Sequence, residues 1–95
     1  MKNCLHIVNK PLPQEHWQVV INAMGSQDSL LLIEDAVYLI AQPASPVAEE
    51  QAYFLQTDAQ SRGVMLPSPS YQALRNHRAM VELVLQHQTN LTWTF

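Results

Sequence analysis

Charge is scarce in this chain. Acidic and basic residues together make up 14% of its 95 positions, well under the roughly 25% typical of soluble domains. A surface with so few charges implies that part of it meets a partner. The five lysines and arginines are scattered and the formal net charge is −3. Phosphate-driven nucleic-acid binding needs a clustered basic face, so no direct contact with nucleic acid is expected. Cysteine is nearly missing. The single thiol, Cys4, cannot close an intrachain disulfide, which points to an intracellular, cytoplasmic location. Glycine is limited to Gly25 and Gly63, which excludes a glycine-rich phosphate loop and a G-x-S-x-G nucleophile elbow. No apolar run approaches the ~20 residues that span a bilayer. The first residues also lack the apolar core of a secretory signal peptide, so no membrane association is expected. The four histidines, His6, His16, His77 and His87, show no helical pair at a spacing of three or four, and no C-x-x-C accompanies them. Neither a metal site nor a cofactor is therefore expected.

What the chain does have is apolar patterning, with 47% hydrophobic residues. Its length suits one small domain, and oligomerisation would help to stabilise a domain of that size. The central signal is the run Ser29-Leu30-Leu31-Leu32-Ile33 leading into Glu34-Asp35. A short continuous apolar run reads as a strand buried on both faces, here over 30–33, as found in parallel sheets between helices. In open α/β folds the ligand crevice lies at the carboxyl ends of such strands, which is where Glu34 and Asp35 stand.

A first strand is expected over 4–8, ended by Pro11 and Pro13. Trp17, Val20, Ile21 and Met24 recur at helical spacing and predict a helix over 13–24, with Glu15 at its amino end and Gly25 as its stop. A helical stretch of about two turns follows over 36–42 and is closed by Pro43 and Pro46. Residues 47–51 give no clear signal. Ala52–Leu55 reads as a strand, and Asp58 as the N-cap of a short helix ending at Gly63. Periodicity alone leaves 67–87 open between one long helix and a strand over 71–75 followed by a helix capped by Asn76. In either case Met80, Val81, Val84 and Leu85 form the apolar stripe and His87 closes the helix. Gln88-Thr89-Asn90 reads as a turn. Residues 91–95 alternate apolar and polar as a half-exposed final strand. Strands alternating with helices indicate a three-layer α/β sandwich.

Two stretches carry a resemblance. Leu5-His6-Ile7-Val8-Asn9-Lys10 and Leu30 through Tyr38 resemble the TusB/DsrH family of sulfur-relay subunits, whose members carry "LHIVNKSP" and "LLIEDGVY" at these places. Tyr53-Phe54-Leu55 with Asp58 and Arg62-Gly63, then Val81-Glu82-Leu83 with His87 and Trp93, are similar to later family segments in the same order. The resemblance covers nearly the whole chain. It implies a single DsrE/DsrF/DsrH-like domain over 1–95, with a small, mainly parallel central sheet of about five strands flanked by helices, and it places the strand at 71–75. It also implies TusC-like and TusD-like partners in a heterohexamer that passes persulfide sulfur between donor and acceptor proteins. In the Tus branch that sulfur reaches the 2-thiouridine at the tRNA wobble position; in the Dsr branch it serves sulfur oxidation.

One departure bears on chemistry. DsrH-type members carry a cysteine fifteen residues before the Asp of the acidic pair. Counting back from Asp35 reaches Val20, so the sulfur-carrying position is apolar, as in TusB-type members. Ala36 also replaces the usual Gly after the pair. Cys4 opens an apolar strand, whereas a persulfide carrier wants a helix N-terminus or neighbouring cations. It therefore reads as structural, with a sulfurtransferase using Cys4 as the rival reading. Glu34 and Asp35 could form an acid–base pair. Neighbours on an extended strand point to opposite faces, however, so one is expected to cap the next helix and the other to pair across a subunit boundary. His6 is expected inside the sheet with its ring hydrogen-bonded. Trp17 belongs to the core. Trp93 and Phe95, on one face of the last strand, divide between core and interface. The expectation is a non-catalytic subunit of a hetero-oligomer, able to form homo-oligomers when alone.

Overall fold

The computed structural model describes residues 2–41, 46–64 and 70–95. Five strands make one fully parallel sheet: β1 (Lys2–Val8), β2 (Ser29–Leu32), β3 (Ala52–Leu55), β4 (Gln72–Leu74) and β5 (His87–Trp93). Their order across the sheet is β4-β3-β2-β1-β5. Three α-helices connect them: α1 (Gln14–Ala23), α2 (Gln56–Ser61) and α3 (His77–Leu85). Two 3-10 helices, Glu34–Ala41 and Glu49–Gln51, fill the β2–β3 crossover. The chain steps from β1 to β4 in one direction and then crosses back to lay β5 on the other side of β1. The topological switch point of this sheet is thus between β1 and β5.

β2 is the centre of the sheet, flanked by β1 and β3. All four of its residues are buried, as the apolar run predicts. Burying Leu30, Leu31 and Leu32 contributes roughly 1.5–3 kcal/mol each. On one face Val8, Leu30, Leu32 and Phe54 pack with Trp17, Val20, Val37, Ile40 and Ala59, so α1, the long 3-10 helix and α2 share that layer. On the other face Leu5, Ile7 and Leu31 pack under Leu83, with Met80 and Val84 alongside. Among the described residues α3 alone supplies that third layer.

Several boundaries and details differ from the sequence reading. α1 stops without a left-handed glycine: the Gly25 N–H turns to the Asp28 carboxylate at 3.1 Å, and the Asp28 N–H to the Gly25 carbonyl at 3.1 Å. The stretch read as helical over 36–42 is a 3-10 helix that already begins at Glu34; Gln42, Pro43, Ala44 and Ser45 fall outside the described residues. Asp58 does not cap α2. It sits in the first turn, behind the N-cap residue Leu55, and its side chain is occupied elsewhere. Gly63 does end that segment in the left-handed region, at φ 68°. Asn76 caps α3 as predicted, its side-chain oxygen accepting from the Ala79 N–H at 3.0 Å. The α3 stripe is narrower than read, because Val81 and Leu85 face solvent while Met80, Leu83 and Val84 meet the sheet. Gln88-Thr89-Asn90 is not a turn. It is the first half of β5, which runs parallel to β1 with Cys4 opposite Thr89 and Val8 opposite Trp93. His87 therefore opens a strand, although its ring still binds the end of α3, Nδ1 donating to the Leu83 carbonyl at 2.8 Å.

Candidate functional site

The carboxyl end of β2, where Glu34 and Asp35 stand, was the expected crevice. Past β2 the chain turns sharply, and Glu34 takes the left-handed conformation at φ 50°. Its N–H donates to Asp58 Oδ2 at 2.6 Å. The left-handed residue is Glu34, and Ala36 is fully buried without that backbone demand. Asp35 accepts from Arg62 Nε at 2.7 Å, and Arg62 Nη1 also reaches the Asp58 carbonyl at 3.3 Å. The Asp35 carboxylate raises the Arg62 pKa above its ordinary value. The Asp35 ion pair with Arg62 lies within the chain, and the Asp35 side chain stays 63% exposed. Glu34 and Asp35 are both exposed. Glu34 binds Asp58 through its backbone N–H and Asp35 binds Arg62 through its carboxylate, so the two neighbours have different partners. The cluster ties the exit of β2 to α2.

A second constellation lies inside the molecule and connects residues far apart in sequence. His6, in mid-β1, is buried. Its Nε2 lies 2.9 Å from Asp28 Oδ2, and its Nδ1 lies 3.0 Å from Trp93 Nε1. An indole N–H only donates, so Nδ1 is the acceptor and the ring proton sits on Nε2, donating to Asp28. Asp28 also accepts from the N–H groups of Gly25, at 3.1 Å, and Cys4, at 3.2 Å. Burial pushes the Asp28 carboxyl up, but the hydrogen bonds from His6, Gly25 and Cys4 outweigh it and hold its pKa below the ordinary aspartate value. Gln51 Nε2 clasps the same loop by donating to the Asp28 carbonyl at 2.8 Å. With both ring nitrogens engaged, His6 has no free atom for proton transfer to a substrate.

The rings continue outward. Trp93 stacks on Phe95 with centroids 5.8 Å apart, and Phe95 stacks on His16 at 4.2 Å. Lys10 Nζ donates to the Phe95 carbonyl at 2.7 Å. This stack stands at the switch point between β1 and β5. Trp93 is half-buried and Phe95 exposed. Trp17 is in the core as expected. Val20 is fully buried on the sheet-facing side of α1. Cys4 is partly exposed and free, in a strand and not at a helix start. Among the described residues no group of three or more His, Cys, Asp or Glu residues could hold a metal ion.

Sequence reasoning anticipated a hydrogen-bonded His6 but missed Asp28 and the His6–Trp93 bond. The available signal was a histidine inside an apolar strand, which must find a partner once buried. Its partners lie 22 and 87 residues away and require the sheet register to identify.

A family model described as DsrH like protein matches residues 10–90. The chain belongs to the DsrH-like family. Among solved structures it is similar to the ychN protein of E. coli, at 15% identity and a TM-score of 0.67, covering 98% of this chain and 100% of that one. At that identity the likeness concerns the fold. No curated protein matches the chain. Family and fold together support a sulfur-relay subunit of the DsrE/DsrF/DsrH-like superfamily. In this DsrH-like chain, no helix among the described residues is long and apolar enough to cross a membrane.

Proposed function

We propose that this DsrH-like chain is a non-catalytic, TusB-like subunit of a sulfur relay. It assembles with TusC-like and TusD-like subunits in a heterohexamer and positions a partner's thiol for exchange with donor and acceptor proteins. The sulfur so carried serves 2-thiouridine formation at the tRNA wobble position. The observation behind this reading is Val20. The position that carries sulfur in DsrH-type members holds no thiol here and is fully buried, at 0% exposure. The surrounding chemistry agrees, since His6 is closed off by Asp28 and Trp93 and Cys4 lacks a helix N-terminus. Exposed Glu34 and Asp35, with Trp93 and Phe95 at the same carboxyl end of the sheet on its β5 edge, are the proposed contact residues.

Co-expression with TusC-like and TusD-like subunits tests this. The expected result is a stable complex containing all three, and loss of 2-thiouridine from bulk tRNA when the chain is deleted. A chain that purifies alone and captures neither partner overturns the assignment. A complex that forms while 2-thiouridine is unaffected moves the protein to the sulfur-oxidation branch. Persulfide labelling of Cys4 in the isolated chain, with relay activity lost in Cys4→Ser, would instead establish the sulfurtransferase reading.

A further inference from the structure

His6 and Trp93 are joined edge to edge. Their ring planes differ by 19° and their centroids lie 6.0 Å apart, with Trp93 Nε1 donating to His6 Nδ1 at 3.0 Å. That bond exists only while Nδ1 carries no proton. An imidazolium donates from both nitrogens and an indole N–H cannot accept, so a proton on Nδ1 sets donor against donor. Asp28 responds in the opposite sense. Its carboxylate already accepts from Nε2 at 2.9 Å, and a charged ring strengthens that bond. The other buried histidine has no such conflict. His87 Nδ1 donates to the Leu83 carbonyl and its Nε2 meets the Ser29 hydroxyl, which can turn from donor to acceptor when the ring is protonated.

We propose that protonation of His6 is a conformational switch: the imidazolium stays on Asp28 while the Trp93 indole is displaced, and Phe95 with it. Trp93 is the partner free to yield. It is half-buried and ends β5, an edge strand paired only with β1. Asp28 is buried and is also held by the N–H groups of Gly25 and Cys4. Displacing Trp93 breaks its stack on Phe95, whose ring also stacks on His16, so a buried proton is read out at the exposed end of the sheet. Among the described residues, the titratable groups near His6 are few. The entry of β2 presents Asp28. Cys4 lies two residues back on the same face of β1. β5 offers only His87, at its other end, and α1 only exposed Glu15 and His16, the latter at the end of the ring stack. Lys10 holds the Phe95 carbonyl. The switch lies within this chain and does not rest on the sulfur-relay reading.

1H–15N NMR of the purified chain, titrated from about pH 8 to about pH 5, reads both ends of the switch. As the His6 ring nitrogens report uptake of the proton, the Trp93 indole N–H should leave its hydrogen-bonded position. It should then exchange with water at least about tenfold faster, measured against free tryptophan at the same pH. The indole of Trp17, buried in the core, should not respond. His6→Gln offers an amide in place of the ring and cannot titrate, so it should abolish the response. His16→Gln should retain it. The proposal is overturned if Trp93 stays bonded while His6 is protonated, if His6 stays neutral until the chain unfolds, or if the response disappears with His16. The wild-type titration decides between these outcomes even where His6→Gln does not fold. Failure to bind TusC-like or TusD-like subunits would leave these readouts unchanged.

Discussion

Replacing Asp28 with asparagine tests the internal polar network. The carboxylate takes three hydrogen bonds: His6 and Gly25 share Oδ2, and Cys4 uses Oδ1. An asparagine offers a single acceptor oxygen. With that oxygen toward His6 and Gly25, its NH2 faces the Cys4 N–H, donor against donor. With the amide reversed, the NH2 faces both Gly25 and the His6 Nε2–H. His6 cannot relieve this by moving its proton, because Nδ1 is needed as the acceptor for Trp93. At least one bond to a charged acceptor is lost, and the survivors become neutral pairs. At about 1.5–3 kcal/mol for a hydrogen bond to a charged group, the expected loss for Asp28→Asn is about 2–4 kcal/mol. That is a large part of the 5–15 kcal/mol typical of a domain. For a chain of this size each kcal/mol shifts Tm by roughly 4–8 °C.

Urea denaturation followed by circular dichroism reads this directly. Asp35→Asn is the matched control. Its side chain is 63% exposed, so it should change stability by no more than about 0.5 kcal/mol. The two variants make the same chemical change, so their difference isolates burial and bonding. An Asp28→Asn loss no larger than that of Asp35→Asn would refute the reasoning. The pH dependence gives a second arm. The Asp28 pKa is depressed in the folded state, so its contribution is complete above the unfolded value near ~3.9 and is lost as pH falls below that through the folded pKa. The stability gap between wild type and Asp28→Asn should therefore narrow in acid, below about pH 4.

Three further outcomes are expected. Trp93→Phe removes the donor to His6 Nδ1 and leaves a buried acceptor unpaired, which should cost about 1–3 kcal/mol; long-range 1H–15N NMR should show the Nδ1 resonance shifted while Nε2 keeps its proton toward Asp28. Glu34→Gly should stabilise by about 0.5–1 kcal/mol, since a left-handed residue with a Cβ gives way to one without, and a lower denaturation midpoint would contradict the φ of 50°. Val20→Cys in a Cys4→Ser background should resist a thiol reagent in the native state and react only in urea, because the site is fully buried; rapid native labelling would show that α1 opens and that the position is accessible to sulfur donors.

The sequence was most informative where one physical requirement acted alone. β2 shows as four consecutive residues buried on both faces, and a strand with no exposed side must be apolar throughout. Asn76 shows as a cap because its function is local, reaching only three residues along the chain. β5 was half missed for the opposite reason. Gln88, Thr89 and Asn90 lie on an edge with their side chains in solvent, so nothing in their polarity separates them from a turn; the ladder to β1, which a sequence does not display, makes them a strand. The α3 stripe was overdrawn because periodicity reports all apolar residues near one side of a helix, while a single sheet contact needs only Met80, Leu83 and Val84. At the candidate site, Glu34 and Asp35 were correctly placed at the exit of β2. Their partners were not legible, because a left-handed glutamate and the fold of α2 are needed to bring Asp58 and Arg62 alongside.

The buried polar groups share an arrangement that bears on function. Asp28 and Ser29 are adjacent at the entry of β2 and serve opposite faces of the sheet. Asp28 holds His6 on the side of α1, while the Ser29 hydroxyl meets His87 Nε2 at 2.9 Å on the side of α3. The leucines that follow are nearly interchangeable as apolar surface. A slip of one residue would exchange the faces of every side chain in the strand, and leucine against leucine would resist it weakly. Two polar residues bound in opposite directions make such a slip expensive, because each would leave a buried partner unsatisfied. Both imidazoles are consumed in this role. The Leu83 carbonyl fixes the Nδ1 proton of His87, and Trp93 and Asp28 occupy both nitrogens of His6. A fold that commits its two buried histidines to fixing strand register leaves both ring nitrogens of each engaged within the chain.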